Sequence, residues 1–244
     1  MTLLTYKCYN TIVTYKKKEG ITMKKAFSLF LVFALCLSLC ACGNSDKKAF
    51  EASKLAYDNI DVAYEITAQF GTDLYEAWRL GIYDKDEIKK DGAKHLAKEV
   101  SLSADEIRVG AAYTVATMLG ENWDEMSQED KDSYIDKADT FFSAMKDDMF
   151  SFCVMSITGA YKANGKVAEA QAALDEAKAQ MKTLSQEYSD YEHYPNLKGY
   201  YTTTSSFFNF CVDPTGSFEQ VKQTINDYKN EARDYISDLD YIFE

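Results

Sequence analysis

Residues 166–188 read KVAEAQAALDEAKAQMKTLSQEY, and this stretch decides the fold class. Val167, Ala170, Leu174, Ala177, Met181, Leu184 and Tyr188 recur at alternating steps of three and four, which draws one apolar stripe down a helix. The last segment repeats the pattern with Phe218, Val221, Ile225, Tyr228, Ala232, Tyr235, Leu239 and Ile242. Ser217 and Gln220 open that segment at capping-box spacing, and Ser103 with Glu106 marks another start. Further helices are expected at about 48–80, 87–100, 104–119, 128–163 and 196–212. Gly81, Gly120 and Gly165 are natural stops, and Pro195 and Pro214 punctuate the last two connections. No strand-like alternation of any length is present. The expected fold is all-α, an antiparallel helical bundle of about six to seven helices.

Towards the N-terminus the pattern changes. Met23 is followed by Lys24 and Lys25, and then by an apolar run from Ala26 to Leu39 broken only by Ser28 and Ser38. The run is shorter than the roughly 20 apolar residues that a membrane-spanning helix needs. It ends in Leu39-Cys40-Ala41-Cys42, followed by Gly43-Asn44-Ser45. This segment, residues 23–45, resembles the signal peptide and lipobox of bacterial lipoproteins, in which a small residue precedes the cysteine that receives diacylglycerol. The resemblance implies cleavage before Cys42, lipid attachment at Cys42, and a protein held on the extracytoplasmic face of the cell membrane. Cys40 is the poorer candidate, because bulky Leu39 precedes it.

Four segments follow from this reading. Residues 1–22 are expected to be an extension upstream of the true start, since Lys18-Glu19-Gly20 can be encoded by a purine-rich, ribosome-binding sequence just ahead of Met23. Residues 23–41 form the signal peptide, 42–47 the lipidated cysteine and tether, and 48–244 an all-helical extracytoplasmic domain. The exported part is acidic. The whole chain carries 27 basic and 39 acidic residues; six lysines and Glu19 precede Cys42, leaving 21 basic against 38 acidic, a net charge of −17. Such a surface repels phosphate backbones, so nucleic acid is not an expected partner.

One internal echo stands out. Phe150-Ser151-Phe152-Cys153-Val154 recurs as Phe208-Asn209-Phe210-Cys211-Val212, which fits either two related helical hairpins or chance likeness between aromatic-rich helices. The echoes hold the only cysteines beyond Cys42. Outside the cytoplasm Cys153 and Cys211 could form a disulfide, but their Phe and Val neighbours equally suit two buried thiols.

The search for chemistry yields no expected catalytic, cofactor-binding or metal-binding set. His95 and His193 stand far apart, and no zinc spacing, nucleophile elbow or phosphate loop occurs. Asp84, Asp86 and Asp91-Gly92 lack the spacing of a calcium loop. Trp78 and Trp123 read as core residues, the latter in a loop with Glu121 and Asp124. Tyrosine is the distinctive residue, 18 in all, with Tyr188, Tyr191, Tyr194, Tyr200 and Tyr201 crowded around His193 and Pro195. Tyrosine combines a flat apolar face with a hydroxyl, so these five are candidate ligand contacts; the competing reading packs Tyr188, Tyr200 and Tyr201 into the helix seam. The functional expectation is a non-enzymatic binding module at the cell surface, for a cell-wall component, a peptide or a protein. A cell-envelope hydrolase with a carboxylate site and a phage-exclusion or mobile-element lipoprotein are the alternatives.

Overall fold

The computed structural model describes residues 45–145 and 148–243. Met23, the signal peptide and Cys42 lie outside them. The chain divides into two units, Met1–Lys48 and Ala49–Glu244, and the second is described here. The described residues form nine α-helices and no strand: α1 (Ser45–Tyr83), α2 (Lys85–Leu96), α3 (Ala104–Met118), α4 (Gln128–Ile135), α5 (Ala138–Ala144), α6 (Met149–Ala163), α7 (Lys166–Glu187), α8 (Tyr194–Val212) and α9 (Phe218–Phe243). A 3-10 turn at Trp123–Glu125 precedes α4. The all-α bundle expected from the spacing is the fold observed. None of the described helices is long and apolar enough to cross a membrane.

Local signals act where the sequence places them. Ser103 and Glu106 exchange both capping-box hydrogen bonds at the start of α3. Ser217 and Gln220 do the same ahead of α9, with the Ser217 amide donating to Gln220 Oε1 at 2.8 Å. The α7 stripe is inward: Ala170, Leu174, Ala177, Met181 and Leu184 are buried. Val221, Ile225, Ala232 and Leu239 of α9 are buried likewise. Gly165 turns the chain from α6 into α7 at φ +83°, a conformation that side-chain-bearing residues rarely adopt.

Residues 128–163 depart from the single helix expected. They form α4, α5 and α6, and the break between α5 and α6 lets Phe142 and Phe152 meet. Ten residues apart on one helix, they would be separated by about 15 Å of rise. Instead their rings lie 5.0 Å apart, edge to face. Phe142 also fills the space over Gly92, where a Cβ would fall 2.4 Å from the Phe142 ring.

The largest core cluster joins the second half of α1 to α2, α3, α5 and α6, and includes the inner ends of α8 and α9. Helix α6 runs antiparallel to α1, since Trp78 stacks on Phe150 while Phe70 stacks on Tyr161. Helices α3 and α6 cross at backbone contact. A Cβ on Gly110 would lie 2.0 Å from the Ser156 carbonyl oxygen, and one on Gly159 would lie 2.4 Å from the Gly110 oxygen. A second cluster joins the first half of α1 to α7, α8 and the end of α9.

The two Phe-Cys echoes occupy opposite ends of their helices: the first opens α6 and the second closes α8. Cys153 and Cys211 are both free and buried in the first cluster. Burial pushes the Cys153 thiol up to about 12 and raises Cys211 as well.

Candidate binding groove

Helix α6 is apolar or small on nearly every face, so it buries one side in the core and still offers another. The offered side carries Phe150, Ser151, Val154, Met155, Thr158, Gly159 and Lys162, which line a groove of about 390 Å³. Their spacing by fours traces a single stripe, and the twelve steps from Phe150 to Lys162 span about 18 Å at 1.5 Å per residue. Tyr113, Thr114, Thr117 and Met118 of α3 form the facing wall. Val212, Asp213 and Pro214 at the end of α8, with Trp78 of α1, complete the lining. The groove falls in the size range of small-molecule sites, roughly 300–1,000 Å³.

Its polar groups are few and partly committed. The hydroxyls of Thr114, Thr117 and Thr158 donate to the carbonyls of Met155, Tyr113 and Val154 at 2.8, 2.9 and 3.1 Å. Only the oxygen lone pairs of these three threonines remain for a guest, while Ser151, Tyr113 and Lys162 supply donors and Asp213 an acceptor along otherwise apolar walls. Trp78 stacked on Phe150 makes an aromatic end. Tyr113 packs against Trp123, with ring centroids 5.8 Å apart, and Lys131 covers the other ring at 5.5 Å. Burial, helped by the nearby charge of Asp124, raises the Tyr113 hydroxyl.

A second polar focus is buried. Asp73, 1 % exposed, accepts hydrogen bonds from the Ser101 amide at 3.0 Å, the Ser101 hydroxyl at 2.5 Å, the Tyr161 hydroxyl at 2.9 Å and Gln69 Nε2 at 2.9 Å. Burial raises the Tyr161 hydroxyl; Ser101 opposes this and the Asp73 charge adds to it. Lys229 lies nearby and donates to Thr72 Oγ1 at 2.5 Å, its ammonium disfavoured by burial. Four donors saturate the Asp73 carboxyl, so it pins the 97–103 turn to α1 and α6.

Four of the five candidate tyrosines, Tyr188, Tyr194, Tyr200 and Tyr201, meet in the second core cluster. Tyr200 is fully buried, and its hydroxyl donates to Asp61 at 3.1 Å. Tyr188, Tyr194 and Tyr201 are half-buried against the second core cluster, and Tyr191 meets His193 edge-on at 5.3 Å. None of the five lines the groove. Asp61 is the carboxyl with a raised pKa: burial raises it above 3.8, the Tyr200 hydrogen bond opposes, and Glu65, Asp240 and Asp58 add to the rise. The folded state therefore holds a proton that the unfolded chain releases. The resulting stability is fully present below pH 3.8 and is lost as pH rises through the folded value. NMR titration of the Asp61 carboxyl is expected to give a value above 3.8, rising further in Tyr200→Phe.

Among the described residues no group of three or more His, Cys, Asp and Glu is arranged to hold a metal. His95 hydrogen-bonds Asp84 at 3.1 Å, and Asp91 pairs with Lys94 at 2.7 Å. Comparison with known proteins finds no matching family model, no similar curated protein and no similar solved structure. Function must therefore be argued from these residues. The sequence-level reading missed the groove, whose one local signal is the run of apolar and small residues on every side of 149–163.

Proposed function

We propose that the chain is an extracytoplasmic lipoprotein, anchored to the membrane by a lipid on Cys42, whose helical domain binds a ligand rather than converting it. The observation that carries the binding role is the groove along α6: a preformed, aromatic-ended, mostly apolar channel whose three threonine hydroxyl protons are already committed. The lipobox-like Leu39-Ala41-Cys42 carries the address.

Both halves are testable. In cells fed an alkyne fatty acid, the wild-type chain should take up label and Cys42→Ala should lose it; continued labelling of the mutant overturns the assigned cysteine. For the groove, 1-anilinonaphthalene-8-sulfonate serves as an apolar probe. It should bind the folded domain saturably at one site. Thr117→Trp, at an exposed position of the wall, should weaken that binding at least tenfold with an unchanged unfolding midpoint. Equal affinity in the variant would remove the groove as the site.

A further inference from the structure

We infer that the end of the Ala49–Glu244 unit formed by the start of α1, the turn at 191–193 and the end of α9 rests on the lipid bilayer, with its aromatic rings in the headgroup layer. The inference rests on the Cys42 anchor proposed above and extends it to a surface.

Three segments distant in sequence bring their rings to this one place. Phe243 lies 5.6 Å from Phe50, 5.2 Å from Tyr57 and 6.5 Å from His193, and His193 touches Tyr191. The inner rings are covered, but Phe50 is 40 % exposed, and on the same last turn of α9 as Phe243 the Tyr241 ring is 94 % exposed. An aromatic ring with a polar edge suits the boundary between hydrocarbon and water.

Chain length says what covers them. Six residues separate Cys42 from Ala49, and the seven steps even fully extended reach only about 25 Å. A lipid on Cys42 therefore holds Phe50 near the bilayer surface. The same end carries Lys47, Lys48 and Lys54 against Asp46, Glu51, Glu192, Asp238 and Asp240, an acidic balance that offers no net attraction to anionic headgroups. Contact is thus made by rings and depends on the anchor. Along α1, Trp78 lies 29 residues beyond Ala49, about 44 Å at helical rise, so the groove lies far along α1 from the anchored end.

The two native tryptophans make an internal control. The mature lipidated protein is reconstituted in phosphatidylcholine vesicles, with and without bromine on the upper acyl chain, and Trp emission is compared. The wild type should be unquenched. Tyr241→Trp, at a fully open position, should lose at least half of its added emission in brominated vesicles, and Leu119→Trp on α3 should lose none. Mass spectrometry reports the lipid on Cys42 in the same samples. With the lipid present, an unquenched Tyr241→Trp, or equal quenching of Leu119→Trp, overturns the inference and leaves the anchor standing. A protein without lipid on Cys42 overturns both.

Discussion

Gly110→Ala is expected to cost roughly 3 kcal/mol or more, beyond the usual range for overpacking, because the added methyl meets backbone rather than a movable side chain. The new Cβ would sit 2.0 Å from the Ser156 oxygen and 2.5 Å from the Ala160 nitrogen. Neither can retreat without parting α3 from α6. Gly159→Ala should behave alike, since its Cβ would press on the Gly110 oxygen from the other side. For a domain of this size the loss corresponds to a fall in Tm of about 6–12 °C, read by thermal or urea unfolding. Gly120 gives the contrast. It has φ +84° and nothing near its missing Cβ, so Gly120→Asn should change stability little. If Gly110→Ala unfolds with the wild type, the α3–α6 crossing is looser than described.

Asp73→Ala is the second large expectation. Removing the carboxyl, which is 1 % exposed, frees the Ser101 amide and hydroxyl and one Gln69 donor and strands the buried Tyr161 hydroxyl. The Tyr161 hydroxyl is the buried orphan, whereas Gln69 and Ser101 sit at exposed positions where water can take over, so the loss should be about 1–3 kcal/mol. Tyr161→Phe removes a single donor and should cost about 1 kcal/mol. In urea unfolding the two changes should be strongly non-additive, since the second removes a donor that the first had already orphaned. Additive losses would mean that Asp73 and Tyr161 act separately.

What could be read from the sequence was what is local. The stripes of α7 and α9 and the capping boxes at Ser103 and Ser217 are set by spacing within one segment, and they form as read. The 128–163 stretch was not readable, because its breaks go with the contacts of Phe142 to Gly92 and Phe152, partners on other segments. Tyr200 shows the limit from the other direction: its neighbours in sequence suggest a tyrosine-rich turn, while its own place on α8 turns it inward to Asp61. The groove draws on four segments between Trp78 and Pro214, so no single window contains it.

Helix α4 contributes no buried side chain, and the 3-10 turn before it is held chiefly by Trp123 against Ala112 and Ala116 of α3. Separating that flap from the bundle disrupts little of the first core cluster. The molecule therefore has two stabilities: a high one for the helices crossing at Gly110 and Gly159, and a low one for the acidic flap. Because Trp123 leans on Tyr113, each opening of the flap bares the outer flank of the groove while the rest of the bundle stays closed. Under the proposed binding role, ligand access and residence time would be governed by a segment that packs outside the first core cluster.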